Sequence, residues 1–388
     1  MTSFLRFLQV FALGAWVGSI IYFSAVVAQG AFRTLPTMDD AGRLVGFTLA
    51  GLHSMGVICA VIYLAASVAL AILLIVLLIK VGKIDLRVTL QQLKSVSLIS
   101  FTKLALLNVL LVYISSAKWR SIDAAWRRSS DSVPSRITSF TLTSAGLALG
   151  MLLPVQLAMA TARTLGTYVH GRPLKRGTAG TLLEQGFDLL TVAFLAVASW
   201  ATWFYSGGAV MWTLSAVAMT ALALLAVGPA IRVIRWLAAS YNAKTAAPRN
   251  RILRSFWELQ HSGILNAGLA RRLVMLSVGR FIVVVLMSIQ TAEAIGIHIP
   301  LWQMAAAIPF IVIASVIALT PGGIGLNELM GVTALTVFGT PLAAGAQWAL
   351  ANRVLVAVSY FFVAACAAMV LGAQKIMAPH TPNAIQGR

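Results

Sequence analysis

Seven ionisable residues stand inside long apolar stretches of the sequence: Lys103, Glu184, Asp188, Arg280, Glu293, Glu328 and Arg353. A charge in hydrocarbon costs a few kcal/mol or more, so each needs a partner or a task. Glu184 and Asp188 lie four residues apart, which on a helix places them on one face, about one turn apart. Two carboxylates facing one low-dielectric volume repel unless one holds a proton or a cation sits between them. The pair suits proton or cation handling, and it equally suits neutralisation by Arg163, Arg172, Lys175 or Arg176. Arg280 falls about two turns into its own apolar stretch, at a depth where Glu184 or Asp188 can meet it. Glu293 follows thirteen residues later, ~20 Å along a helix. It cannot pair with Arg280 and reads as a snorkelling group near the far interface.

The densest run of helix-breaking residues is Thr320-Pro321-Gly322-Gly323-Ile324-Gly325-Leu326-Asn327-Glu328. A proline and three glycines do not continue a helix smoothly. Irregular backbone at membrane depth survives only inside protein or against a wet cavity. A helix restarting at Asn327-Glu328 presents its first amides there, a site for an anion, as broken helices do at the centre of transporters. Glu328 can also cap those amides, with Arg353 as its partner; cap and site are compatible. Pro154 follows a small-residue run, Ala145 to Met151, and leads into a segment ending at Arg163. Two proline-interrupted segments, one in each half, point to an internal repeat with its site at the junction. The candidate site is therefore Glu328, Arg353, Arg280, Glu184, Asp188 and Arg163, hinged at Pro321, Gly322, Gly323, Gly325 and Pro154.

Signatures of enzymes are absent from the sequence. His53, His170, His261, His298 and His380 are scattered without metal-ligand spacing, and no GxSxG, Walker A or GxGxxG occurs. Cys59 and Cys366 both fall in apolar spans, which excludes a disulfide framework. The expectation is a protein that is not an enzyme and uses no cofactor or metal.

The elements that must position these residues are membrane helices. Of 388 residues, 60% are hydrophobic and 10% charged, against roughly 45–50% and about 25% in soluble domains. Mean hydropathy is +0.90. A soluble globular protein is excluded, and the apolar blocks are long enough for a hydrocarbon core ~30 Å thick. The expected fold is all-α, a polytopic helical membrane protein. Its spans fall near 7–28, 47–79, 96–116, 138–158, 178–203, 209–231, 272–295, 302–319 and 343–372, with a short segment near 326–338. The second stretch is too long for one perpendicular helix, so Gly51, His53 and Ser54 mark an irregular start to a span near 56–79. The first helix is read as retained, not as a cleaved signal. Residues 1–60 form an extra N-terminal membrane segment, 61–375 the main transmembrane domain, and 376–388 a short polar tail.

The net charge of +19 is read through the positive-inside rule and attraction to anionic headgroups, not through nucleic acid. With the N-terminus cytoplasmic, the inner loops 80–95, 159–177 and 232–271, with the adjoining Arg272, hold sixteen basic residues, and the outer segments hold seven. The basic stretch 117–136 is then outside. Trp119, Ile122 and Trp126 recur there at helical spacing, with Arg120, Arg127 and Arg128 between them, which reads as a helix lying in the headgroup plane. The loop 232–271 is expected to form amphipathic interfacial helices.

From about Ala71 onward the sequence resembles the lysylphosphatidylglycerol synthase transmembrane region, the flippase-like domain of the multiple peptide resistance factor. The residues that carry the resemblance are Ala117-Lys118-Trp119, Pro154 with Arg163, Leu183-Glu184 with Asp188, and Pro321-Gly322-Gly323-Ile324-Gly325 with Glu328, Gly339, Ala346 and Arg353. The resemblance implies movement of lipids between leaflets, in stand-alone copies that accompany glycosyltransferase or lipid-modifying pathways. The soluble aminoacyl-transfer domain is not among these residues, so synthase activity is not implied. Two positions depart from the family pattern: Val155-Gln156-Leu157-Ala158 replaces a Gly-Gly-Glu-like turn, and Gln185 replaces an arginine. Phe32-Arg33-Thr34-Leu35-Pro36, with Ala41-Gly42-Arg43, resembles a small bacterial membrane family of unknown function.

Together these features predict a multi-pass protein of the bacterial inner membrane that moves a lipid or lipid-linked sugar. Its expected partners are membrane lipids, with anionic phospholipid or polyprenyl-linked headgroups, and a membrane enzyme is a further possible partner. The alternative is a membrane scaffold for a lipid-modifying or glycosyltransferase enzyme.

Overall fold

The architecture turns on two places where apolar sequence stops being helical. The computed structural model describes residues 2–125, 134–169, 174–242, 266–317 and 320–377, and every regular element among them is a helix. Helix α1 (Thr2–Tyr22) passes through a π-helical turn (Phe23–Val27) into α2 (Ala28–Thr34). Helix α3 (Met38–Val81) folds back along α1, and the amphipathic α4 (Leu86–Lys94) follows. Then come α5 (Leu98–Ala125), α6 (Arg136–Leu149), α7 (Val155–Val169), α8 (Leu174–Phe204) and α9 (Gly208–Asn242). The chain closes with α10 (Ala267–Ala294), α11 (Leu301–Ile317), α12 (Leu326–Val337) and α13 (Leu342–Met377). Among the described residues, seven helical stretches are long and apolar enough to cross a membrane: Ser3–Thr34, Met38–Val81, Leu98–Ala125, Gly177–Phe204, Gly208–Val233, Ala267–Ala294 and Leu342–Gln374. This is an all-α, multi-pass membrane protein.

The expected spans near 138–158 and 302–319 are instead limbs of two helical hairpins. Helix α6 has 14 residues and α11 has 17, ~21 and ~26 Å, short of a ~30 Å core, and α12, the expected short segment, has 12. Helix α6 stops at Gly150 and α7 restarts after Pro154, so an averaged hydropathy profile runs through a real break. Gly146 packs against Met159 and Gly166 against Leu142, which folds α7 back along α6. In the second hairpin the Thr340 hydroxyl donates to Gln303 Oε1 at 2.8 Å, and the Trp302 and Phe338 rings lie 6.3 Å apart. Both ends of α11–α12 therefore lie together.

The hairpins enter from opposite ends of the bundle. Helix α13 begins beside the open end of the second hairpin, where Trp348 Nε1 donates to the Ser288 carbonyl near the end of α10. Its far half reaches the open end of the first, where Thr141 Oγ1 donates to the Ala367 carbonyl. The order long, short, short, long thus occurs twice, as α5–α8 and as α10–α13, in opposite senses. This is the form of an inverted-topology repeat.

Three further expectations are corrected. Helix α3 is continuous through Gly51, His53 and Ser54: Thr37 accepts from the Asp40 amide at its start and Ser54 returns its hydroxyl to the Ala50 carbonyl. The stretch from 117 to 125 continues α5, with Trp119 and Ile122 only 2% and 0% exposed. These residues are held in protein contacts and do not lie in a headgroup plane. Trp126, Arg127 and Arg128 lie outside the described residues, as does most of the loop 232–271. Finally, because α6 and α7 form a hairpin, Arg136 and Val169 are at one end of the bundle. The loop 159–177 therefore shares a face with 117–136 and not with 80–95.

Candidate functional site

The two hairpin tips meet on one side chain. Arg353, on α13, donates from Nη1 to the Gly322 carbonyl at 2.8 Å and from Nη2 to the Met151 carbonyl at 3.2 Å. Its Nε stands 3.7 Å from Glu328 Oε1. The guanidinium thus ties the first tip, the second tip and the acid that follows it. A planar fork of donors is the side chain that can do this.

Local sequence dictates the second tip. Gly322, Gly323 and Gly325 take φ of 56°, 69° and 86°, a region closed to most residues with a Cβ. A Cβ on Gly322 would also run into the Met151 carbonyl, so the two backbones touch. Glu328 is 5% exposed, and its Oε2 accepts from the Gly325 amide at 2.6 Å, capping α12. Cap and ion partner are one residue, as its position predicts. Helix α12 starts at Leu326, one residue before the expected restart.

Beside this junction lies a cavity of about 200 Å³, lined among others by Met151, Asn327, Glu328, Asn352, Arg353 and Tyr360. The Oδ1 atoms of Asn327 and Asn352 are buried without a hydrogen-bond partner among the described residues. The cavity offers a guanidinium and a carboxylate, with two amide side chains in its wall, a set able to take a zwitterionic or hydroxylated anionic headgroup. Its size fits a headgroup and not a whole lipid.

The other candidates form a second cluster in the first repeat. Arg163 is fully buried and pairs with Glu184; its Nη2 also reaches Thr143 Oγ1 at 3.2 Å and the Ser115 carbonyl at 3.4 Å. Its guanidinium lies 5.2 Å from the Trp119 ring centre, a cation–π contact. Asp188 pairs with the buried Lys118 and lies 3.4 Å from Arg280 Nη1. Arg280 is within electrostatic range of Tyr360, which links this cluster to the cavity wall. Glu328 and Arg353 line the cavity, whereas Arg280, Glu184, Asp188 and Arg163 do not.

A correspondence joins the clusters. In each repeat an ion pair ties the second hairpin limb to the long helix after it: Arg163 on α7 with Glu184 on α8, and Glu328 on α12 with Arg353 on α13. Acid and base are exchanged between the repeats. Sequence reasoning missed Lys118 as the partner of Asp188, and it missed Asn327, Asn352 and Met151. Lys118 could have been found from its place directly after a span; a backbone carbonyl has no sequence signal. The two departures from the family pattern also meet, since Gln185 Nε2 donates to the Gln156 carbonyl at 3.4 Å.

Broken helices facing each other across a charged cavity, inside a bundle of apolar spans, define a multi-pass membrane domain with a buried polar centre. The chain belongs to the family described as the lysylphosphatidylglycerol synthase TM region, whose match covers residues 64–367. No curated protein and no solved structure matches the chain.

Proposed function

We propose that this protein moves the polar headgroup of an anionic lipid across the bilayer through the cavity at Arg353. The observation that carries the reading is the meeting of two oppositely directed hairpin tips on that one guanidinium. The reading requires a second arrangement, with the tips parted, because alternating access needs two states. Chemistry supports it: the Arg353 guanidinium lines the cavity and is a fork of donors that suits a phosphate. A phosphate that engages Arg353 competes with the Met151 and Gly322 carbonyls and so loosens the tips. The reaction breaks no covalent bond, and the reading assigns no enzymatic step.

Orientation follows from the hairpins. The helix ends at Ala125, Arg136, Val169, Leu174, Asn242, Ala267 and Met377 lie at one end of the bundle. The sequence joining and flanking them holds most of the basic residues. We place this face in the cytoplasm of a bacterial inner membrane. Helix α1 runs antiparallel to α3, with Gln9 Nε2 donating to Ser67 Oγ at 2.8 Å, so its N-terminus points to the opposite, outer face. That reverses the expectation of a cytoplasmic N-terminus.

The test is leaflet exchange of fluorescent lipids in proteoliposomes, wild type beside Glu328→Gln at matched reconstitution. Faster exchange that the folded variant abolishes supports the reading. No acceleration with anionic, zwitterionic or polyprenyl-linked lipids refutes it and leaves the scaffold as the working description.

A further inference from the structure

A second cavity, sharing no lining residue with the first, runs between α5, α6 and α13. Its volume is about 1020 Å³, at the top of the ~300–1,000 Å³ usual for ligand pockets. Along α5 its lining extends from Leu98 to Ala124, ~39 Å of helix. The wall is mostly apolar, with Phe101, Val109, Phe140 and Phe362 among its side chains. At the end where the first hairpin opens it carries Arg120, Arg136 and Arg272, and no carboxylate among the described residues lines it. Arg120 is half-buried there, and Arg136 and Arg272 are exposed.

We propose that this groove holds one polyprenyl phosphate, its phosphate among Arg120, Arg136 and Arg272 and its chain laid along α5 past the bilayer midplane. Charge selects the headgroup: a phosphomonoester carries about −1.5 to −2 at neutral pH, which suits three arginines better than the single charge of a phosphodiester. Length selects the chain. One leaflet supplies half of a ~30 Å core, so acyl chains of a phospholipid anchored at the arginines end near the midplane. They leave the stretch of groove toward Phe101 and Leu98 unfilled, and a long isoprenoid chain fills it. The site is independent of transport through the Arg353 cavity, and it stands whether or not leaflet exchange is observed.

The experiment is native mass spectrometry of the full chain in detergent, titrated with geranyl phosphate, undecaprenyl phosphate, phosphatidylglycerol and phosphatidylcholine. Undecaprenyl phosphate is expected to bind at least about tenfold more tightly than the other three. Arg120→Gln combined with Arg136→Gln lowers that affinity by about tenfold or more. Val109→Trp, midway along α5 on a partly exposed face, brings undecaprenyl phosphate down to the level of geranyl phosphate and leaves geranyl phosphate unchanged. Retained geranyl phosphate binding shows that this variant is folded, and Glu328→Gln leaves all these affinities unaltered. Equal binding of phosphatidylglycerol overturns the proposal, as does a chain-length preference that Val109→Trp does not move. Binding no tighter than that of phosphatidylcholine overturns it too.

Discussion

Arg353 holds three acceptors on two hairpins, so the shape of its head matters as much as its charge. Arg353→Lys keeps the charge but supplies a point ammonium without a fork. Leaflet exchange in proteoliposomes is expected to fall by about tenfold or more, with the purified variant still monodisperse. Arg163 makes the opposite case, being fully enclosed with both Nη atoms engaged. Arg163→Met strands a buried carboxylate at Glu184 and is expected to cost about 3–5 kcal/mol, whereas Arg163→Met with Glu184→Met recovers most of that. Thermal unfolding of the two variants in one detergent decides it; equal losses would refute a structural role for the pair. The residues legible in the sequence were those whose partner lies at a matching helix depth: Glu328 with Arg353, and Asp188 with Arg280. Lys118 was misplaced because the hydropathy of its span fades near residue 116 while the helix continues to Ala125.

At the scale of elements, composition predicted helices throughout, and helices they are, but it could not say which stretches cross. The first hairpin hides because Thr138, Ser139, Thr143 and Ser144 are buried in protein while their apolar neighbours dominate an averaged window. Only Gly150 and Pro154 betray the turn. The hairpins make a sharp prediction about sidedness. In a chain with Cys59 and Cys366 changed to Ala, Ser135→Cys and Val169→Cys are expected to react with an impermeant maleimide from the same side. Arg87→Cys is expected to react from the other. Labelling of Val169→Cys and Arg87→Cys from one side would mean that α6 and α7 do not form a hairpin. The second tip predicts a stability effect: Gly322→Ala forces a Cβ into positive φ and against the Met151 carbonyl. A loss of about 1–3 kcal/mol is expected, read as a lowered thermal midpoint, and Gly372→Ala, with open space around it, is the control.

At the scale of the whole molecule, the family match begins at residue 64, partway along α3, so α1 lies outside it, although it packs on α3 to both sides of that point, with Ser19 beside Met55 and Gln9 beside Ser67. Removing residues 2–36 is therefore expected to leave the two repeats folded, with thermal unfolding in detergent shifted by no more than a few degrees. Aggregation of the shortened chain would show that α1 shields an apolar face the bundle cannot expose. The whole-chain picture was the least legible part of the sequence. The overall balance of charge does not say which loops share a face until the hairpins are known: the first turn groups the basic residues of 117–136 with those of 159–177 and parts them from those of 80–95.

The contact between the tips also says which changes the protein tolerates over generations. Arg353 reads the first tip through the carbonyl of Met151, an atom every amino acid supplies. The identity of residue 151 is therefore free to drift, and Val155-Gln156-Leu157-Ala158 beside it can leave the family pattern, while the junction itself persists. A change in the path of the main chain, or the loss of the one guanidinium, uncouples the two tips.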